Sequence, residues 1–164
     1  MIKVLVMDVD GTLTDGKLYI GPSGEEFKAF NIKDGYGIKD ICGRKGIIPV
    51  VLTGRSSDIV LRRCEELNIS HVYQGSTDKV QRLKGISSSF NIPLSNFAYI
   101  GDDLNDEDCV LLINKEGGLT GCPADGDQKI VNEAKFKCTK NGGEGAVREF
   151  IDYFVREFCD NNRK

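Results

Sequence analysis

Short apolar runs rich in valine and isoleucine recur along the chain, each followed by a polar loop and a segment with helical spacing. The runs are IKVLVMD, IIPVVLTG, HVYQG and FAYIGD, followed by the weaker GLTGCP and FKCT. Strand-like runs that alternate with helical segments are typical of β–α units around a parallel sheet. The pattern therefore predicts an α/β fold: a three-layer, Rossmann-like parallel sheet with helices on both faces, forming one domain over residues 1–164.

Three further segments have a recognisable period. Residues 57–67 and 145–158 place apolar side chains at helical spacing, which predicts amphipathic helices that cover the sheet. Residues 17–32 have extended, partly alternating stretches around the turn composition Gly-Pro-Ser-Gly at 21–24. We interpret 17–32 as a β-hairpin inserted after the first strand.

Composition and charge narrow the functional classes. The 164 residues include 22 basic and 25 acidic side chains without a block of one sign, so a nucleic-acid partner is not expected. No apolar run is long enough to span a bilayer and the start becomes acidic too early for a secretory signal, so we expect a cytoplasmic protein with no membrane partner. The 6 cysteines are scattered and His71 is the single histidine, which argues against a zinc site and for free thiols.

Polar residues end three of the predicted strands. The first strand runs into 8–12 (DVDGT), the second into 53–55 (TGR) and the fourth into 101–106 (GDDLND). Ligands of open α/β sheets bind beyond the carboxyl ends of the strands, where these loops would meet. Some of this polarity is structural, because we expect at least one of Asp103, Asn105 and Asp106 to cap the following helix.

Several carboxylates on one rim repel each other and require a counter-charge. Mg²⁺ prefers oxygen ligands and retains waters, which suits one or two carboxylates from each loop together with a substrate phosphate. Ca²⁺ is the alternative cation, but DVDGTLTD follows a strand and lacks the glutamate of an EF-hand loop. The expected cofactor is Mg²⁺.

A carboxylate beside such a cation can act as a nucleophile toward phosphorus. Asp8 would form an aspartyl phosphate, and Asp10 would protonate the leaving alkoxide and then deprotonate the attacking water. Thr53 offers a hydroxyl and nearby backbone N–H groups for a phosphate oxygen. Lys79, at the start of a predicted helix, would neutralise the transferring phosphoryl group and Asp8.

These residues resemble the four motifs of the haloacid dehalogenase superfamily, which read here as DVDGT (8–12), Thr53, Lys79 and GDDLND (101–106). The resemblance implies that Asp8 is the nucleophile and Asp10 the general acid/base. It also implies that Mg²⁺ is held by the Asp8 carboxylate, the Asp10 backbone carbonyl and Asp102, with Asp103 and Asp106 next to the ligands rather than among them. An acid at Asp10 indicates phosphate chemistry rather than dehalogenation.

The spacing of the motifs indicates a member without a cap domain. Only 43 positions separate Asp10 from Thr53, and 26 separate Thr53 from Lys79. The hairpin and segments such as KDGYGI, HVYQG and GGEGAVRE are similar to one capless branch, the 3-deoxy-D-manno-octulosonate 8-phosphate phosphatases. That resemblance implies a sugar-phosphate substrate and a homotetramer in which neighbouring subunits complete each other's sites. Substrate contacts are expected from Thr53, Gly54, Arg55 and Lys79, and from Arg63 of an adjacent subunit.

Other readings stay open. Phosphatases of 2-keto-3-deoxynononate 9-phosphate or N-acylneuraminate 9-phosphate resemble the chain too, although the nononate enzymes tend to have Glu where this chain has Arg55. A non-catalytic oligomerisation module of a cytidylyltransferase system is a third reading. Arg63 could instead only pair with Glu66 on its own helix. The tail after Phe158 lacks the glycine-containing extension of some octulosonate phosphatases.

Overall fold

The protein is described by a computed structural model of residues 1–160. Its main sheet has the strand order β5-β4-β1-β6-β7-β8 with every neighbouring pair parallel, and β2 and β3 form a separate antiparallel pair. The strands are β1 (Val4–Met7), β2 (Tyr19–Gly21), β3 (Gly24–Phe27), β4 (Ile48–Leu52), β5 (His71–Tyr73), β6 (Phe97–Ile100), β7 (Leu119–Cys122) and β8 (Phe136–Lys137). Each apolar run named above contains one of the parallel strands, and the hairpin lies where it was predicted.

The helices follow the strands in alternation. They are α1 (Ile32–Tyr36), α2 (Gly43–Lys45), α3 (Asp58–Glu66), α4 (Lys79–Phe90), α5 (Glu107–Lys115), α6 (Gln128–Glu133) and α7 (Ala146–Phe154). A π-helical segment, Gly37–Cys42, joins α1 to α2, and another, Val155–Asp160, continues α7. The helices predicted at 57–67 and 145–158 are therefore confirmed as α3 and α7, whereas 161–164 of the tail lie outside the described residues.

Alternating side chains of the strands divide the core into two layers. In β1, Leu5 and Met7 pack with α3 and α7 on one face, while Val4 and Val6 pack with α4 and α5 on the other. The same alternation holds in β6, where the period of two sends successive side chains to opposite faces. Helices thus cover both faces of the sheet, which confirms the three-layer, Rossmann-like fold.

The order of the strands sets the position of the functional loops. The chain builds the sheet outward from β1 through β4 to β5, then returns to the other side of β1 with β6. The loops after β1 and β6 therefore diverge at this switch point, where open α/β sheets bind their ligands. Between β1 and β4 the described chain holds only the hairpin and the α1–α2 segment, so no cap domain is inserted there. None of the helices in residues 1–160 is long and apolar enough to cross a membrane.

Candidate active site

A cleft of about 270 Å³ opens at the carboxyl ends of β1, β4 and β6. The three loops predicted to meet do meet there. Its lining consists of Asp8, Asp10, Gly11, Gly16, Thr53, Gly54, Arg55, Asp102, Asp103 and Asn105. Larger surface depressions lie elsewhere, but this cleft is the one that collects the carboxylates at the switch point.

The floor of the cleft is a buried group of charges. Lys79, the first residue of α4, points its Nζ to Asp8 Oδ1 at 2.9 Å and to Asp106 Oδ1 at 2.7 Å. Asp106 is fully buried and also accepts hydrogen bonds from the Tyr99 hydroxyl at 2.5 Å and from the Asp102 backbone N–H at 3.1 Å. Because donors occupy both oxygens of Asp106, this residue orients Lys79 and the Asp102 loop.

Burial changes the acidity of these groups. Burial, reinforced by the Asp106 carboxylate, raises the pKa of Asp8 to about 7 against the opposing effect of Lys79. Burial and the negative charge of Asp8 likewise raise the pKa of Asp102 to about 7. For Lys79, burial by itself lowers the pKa, but Asp8 and Asp106 together raise it, so its ammonium stays charged.

The carboxylates fit a divalent cation. Oxygens of Asp8, Asp102 and Asp106 lie within 4.8 Å of one another. A set made only of carboxylate oxygens suits a hard cation such as Mg²⁺, whose charge would favour the ionised forms that burial disfavours. Since Asp106 already accepts three hydrogen bonds, Asp8 and Asp102 are the residues with oxygens available to hold it. The metal contact expected from the Asp10 backbone carbonyl stays a prediction.

Glycines allow the loops to approach each other this closely. Gly11 has φ +91°, and a Cβ placed on it would lie 2.0 Å from Asp102 Oδ2. Gly142, in the glycine-rich loop before α7, packs so tightly that a Cβ would lie 1.8 Å from the Gly11 carbonyl oxygen. On the other side of Gly11, Thr12 donates its hydroxyl to Asp102 Oδ1 at 2.9 Å. The loop after β1 is thus fixed from both sides, which aims Asp8 and Asp102 at one point.

Asp10 lies at the same cleft but faces a different partner. Its Oδ1 is 2.6 Å from Lys28 Nζ, at the end of the hairpin, and its Oδ2 is 3.8 Å from Arg55 Nε. The carboxylate therefore lies outside the group formed by Asp8, Asp102 and Asp106. This separation suits a residue that handles a proton while the other carboxylates hold the cation.

The remaining predicted residues are distributed between the cleft and its surroundings. Thr53 is buried at the end of β4, and Gly54 and Arg55 follow it along the rim. Asp103 is exposed and caps the short 3₁₀ turn Leu104–Asp106 through the Leu104 N–H, which confirms that one acidic residue of this loop is a cap.

Arg63 does not line the cleft of its own subunit among the described residues. Its guanidinium pairs with Glu66 at 3.0 Å and lies over the Phe30 ring, 5.8 Å from the ring centre. The pairing within α3 is therefore present. A substrate contact from Arg63 in an adjacent subunit stays a prediction.

Two residues that contact the site were not predicted. Lys28 contacts Asp10 only because the hairpin folds back over the site. The sequence signal for this residue was a pair of opposite charges, Glu25 and Lys28, within a segment predicted to be extended. Tyr99 was included in an apolar run, although a single hydroxyl in a buried strand requires a partner, here Asp106.

Known proteins are similar to this chain over most of its length and not only at the cleft. No protein-family model matches the chain. The 3-deoxy-D-manno-octulosonate 8-phosphate phosphatase KdsC of Escherichia coli strain K12 is 40% identical over 155 residues, which are 94% of this chain and 79% of that protein.

Two solved structures are similar to this chain in both fold and sequence. The octulosonate 8-phosphate phosphatase of Moraxella catarrhalis, in complex with a magnesium ion, a phosphate ion and a KDO molecule, has a TM-score of 0.87 at 41% identity, with 94% of this chain and 86% of that chain covered. A HAD superfamily (subfamily III A) hydrolase of Legionella pneumophila has a TM-score of 0.87 at 35% identity, with 94% and 82% covered.

Proposed function

The chain belongs to the 3-deoxy-D-manno-octulosonate 8-phosphate phosphatases, phosphoric monoester hydrolases of the haloacid dehalogenase superfamily, and from that premise we propose that it hydrolyses a phosphorylated 2-keto-3-deoxy sugar acid. The proposed substrate is 3-deoxy-D-manno-octulosonate 8-phosphate, and the products are the free sugar acid and inorganic phosphate. The choice of substrate is supported by the relatives, which are octulosonate 8-phosphate phosphatases. The choice of reaction is supported by the carboxylates and the lysine of the site.

One observation carries the proposal: Asp8, Lys79 and Asp106 form a buried group of charges beside the half-buried Asp102 at the switch point of the sheet. A carboxylate held against a buried ammonium and beside further carboxylates has little structural benefit, because burying these charges is costly. The same arrangement is useful when a phosphoryl group and a cation enter, since positive charge is then already oriented toward the phosphate. A role in phosphoryl transfer therefore explains why the protein tolerates the free-energy cost of burying these charges.

In the proposed first step, a carboxylate oxygen of Asp8 forms a bond to phosphorus. The bond from phosphorus to the bridging ester oxygen breaks, and Asp10 gives its proton to that oxygen, so that the sugar leaves as an alcohol. Lys79 favours the ionised form of Asp8 before the attack and neutralises charge on the phosphoryl group during it. Thr53 and the backbone near Gly54 provide hydrogen bonds to phosphate oxygens.

In the second step, water attacks the phosphorus of the aspartyl phosphate. The proton of this water passes to Asp10, the bond between phosphorus and the Asp8 oxygen breaks, and inorganic phosphate leaves. Asp8 is again a carboxylate and Asp10 again an acid, so the cycle balances. Mg²⁺ bound by Asp8 and Asp102 supplies positive charge that offsets the negative charge of the phosphate and the carboxylates.

The rim of the cleft supports an acidic substrate. Arg55 lies on the rim with 52% of its side chain exposed, which leaves its guanidinium accessible to a sugar carboxylate. No cap covers the cleft in residues 1–160, so further contacts, including one from Arg63, would come from a neighbouring subunit.

A homotetramer is part of the proposal. Large apolar side chains are exposed on the hairpin and on α1, namely Leu18, Tyr19, Ile20, Phe27, Ile32 and Tyr36. A concentration of apolar surface in one region is typical of an interface. Light scattering should give the mass of four chains, and Ile20→Lys should lower it while Leu111→Lys, an exposed leucine on α5, should not. A monomeric wild-type protein would contradict the tetramer. We also propose a cytoplasmic location, which the buried thiols of Cys64, Cys109, Cys122 and Cys138 support and which cell fractionation tests.

The decisive experiment is phosphate release from a substrate panel. It contains octulosonate 8-phosphate, 2-keto-3-deoxynononate 9-phosphate, N-acetylneuraminate 9-phosphate and simple sugar phosphates, each with Mg²⁺ and with EDTA. We expect a strong, metal-dependent preference for the octulosonate ester. Asp8→Asn should abolish turnover, whereas Asp40→Asn, at an exposed carboxylate, should not change it.

Each other outcome has a defined meaning. Preference for a nine-carbon ester would retain the chemistry and replace the substrate. A flat profile would indicate a phosphatase of broad specificity. A folded protein without metal-dependent phosphate release from any ester, or substantial activity in Asp8→Asn, would refute the proposed mechanism.

A further inference from the structure

The end of the hairpin carries a lysine that is buried against the cleft. Lys28 directly follows β3, and its side chain is only 1% exposed. Its Nζ lies 2.6 Å from Asp10 Oδ1 and 2.7 Å from Glu25 Oε1. Burying an ammonium is costly unless nearby charges compensate it, and a lysine on a surface hairpin normally keeps its ammonium in water. The two carboxylates therefore hold Lys28 in this position.

The charge pair is anchored beyond the hairpin. Glu25 Oε2 accepts a hydrogen bond from the Ser57 hydroxyl at 2.6 Å. The Ser57 backbone N–H in turn donates to Gln74 Oε1 at 2.8 Å. Ser57 precedes α3 and Gln74 follows β5, so the contacts run from Asp10 through the hairpin to two further segments at the same edge of the sheet. This chain of contacts limits the directions in which Lys28 can move.

The two oxygens of Asp10 have different surroundings as a result. Oδ1 is bound to Lys28, whereas Oδ2 is on the Arg55 side, and 20% of the side chain is exposed at the cleft. A carboxyl group with one oxygen held has a restricted orientation about its terminal bond. General acid catalysis depends on that orientation, because the proton has to be within hydrogen-bond reach of the ester oxygen.

We propose that Lys28, held in place by Glu25, is a positioning residue that orients the Asp10 carboxyl group toward the ester oxygen of the substrate. This inference rests on the proposed function, in which Asp10 protonates the leaving group. Lys28 contacts Asp10 and not the reacting atoms. The hairpin thereby has a role in the site of its own subunit, separate from any contact that it makes with another subunit.

The test compares two leaving groups in Lys28→Met, using kcat/KM at saturating Mg²⁺. The alcohol of octulosonate 8-phosphate requires a proton as it leaves, whereas the nitrophenolate of p-nitrophenyl phosphate leaves readily without one. A misoriented Asp10 should lower kcat/KM about 100-fold for the sugar phosphate and less than about 3-fold for the aryl phosphate. Lys17→Met, at an exposed lysine that precedes the hairpin strands, should change neither value.

The inference and the proposed function fail in different ways. Equal losses for both esters in Lys28→Met, or no loss for either, would overturn the positioning role. Asp10→Asn is measured alongside and should show the same selectivity with a larger loss. If Asp10→Asn affects both esters equally, the assigned role of Asp10 fails and the inference fails with it.

Two further variants keep the test valid if Lys28→Met does not fold. Glu25→Gln leaves the lysine in place but removes one of its carboxylates, and should reduce only the sugar phosphate activity, by about 3- to 10-fold. Lys28→Arg keeps a cation beside Asp10 and should retain sugar phosphate activity within about 10-fold of the wild type. Unselective loss in Glu25→Gln would overturn the positioning role as clearly as in Lys28→Met.

Discussion

Replacing Lys79 by methionine removes the ammonium that lies between Asp8 and Asp106. At the observed 2.9 and 2.7 Å, each contact contributes about 6 kcal/mol of attraction at an effective dielectric constant of about 20. The cost of burying the ammonium offsets much of this, and loss of one partner from a buried charge group typically costs about 3–5 kcal/mol. We expect the free energy of unfolding of Lys79→Met to fall by that amount at pH 7 without metal.

The pH modifies this loss. Without Lys79, no ammonium opposes the effect of the Asp106 carboxylate, so the pKa of Asp8 rises above its value of about 7. At pH 5 Asp8 is then protonated and the repulsion is relieved. The difference in stability between Lys79→Met and the wild type should therefore be smaller at pH 5 than at pH 8.

Two assays check the prediction. Urea unfolding measures stability, with Lys84→Met as the control because Lys84 is exposed on the same helix. Phosphate release measures catalysis, and kcat/KM should fall by about 10²–10³-fold, as expected when one group that stabilises the transition state is removed.

A double-mutant cycle with Asp106→Asn tests the cause. The second substitution removes a carboxylate that Lys79 neutralises, so the combined loss of stability should differ from the sum of the single losses by about 1–3 kcal/mol. Additive losses, or full stability of Lys79→Met at pH 8, would refute the reasoning from the buried charges.

The remaining predictions concern metal and pH. Adding Mg²⁺ at 100 times its dissociation constant should stabilise the protein by about 2.7 kcal/mol, EDTA should reverse this, and Asp102→Asn should remove the effect, all measured by thermal unfolding. Because burial raises the pKa of Asp8 and Asp102 to about 7, Mg²⁺ binding competes with protons, and calorimetry should show weaker binding at pH 6 than at pH 8. Burial also raises the pKa of Asp34 from 3.8 to about 6, so its contribution to stability is fully present below pH 3.8 and is lost as the pH rises through 6. The stability of Asp34→Asn relative to the wild type, measured by urea unfolding, should therefore rise by about 2–3 kcal/mol between pH 4 and pH 7, because the asparagine oxygen can still accept the Arg148 N–H but carries no charge. A stability difference that does not change with pH would contradict this.

The alternation of strands and helices could be predicted from the pattern of apolar and polar residues along the chain. In β1, β4 and β6 the local pattern is clear, because apolar side chains fill four or five consecutive positions and polar residues follow. The residues at those ends, Asp8, Thr53 and Asp102, follow from the same pattern, since parallel strands place their carboxyl ends at one edge. The motif spacing likewise excluded an inserted cap, and the described residues contain none.

What the sequence could not determine depends on contacts between residues far apart in the chain. Lys28 reaches Asp10 only because the hairpin folds back over the loop after β1, and no local pattern encodes that distance. Asp106 was expected beside the metal ligands, but its contacts with Lys79, Tyr99 and the Asp102 N–H required the packing of α4 against β6. The raised pKa values have the same origin, because acidity depends on burial and on neighbouring charges. The residues by themselves therefore determined which chemical groups are available, whereas the tertiary structure decided which of them meet and how water is excluded from them.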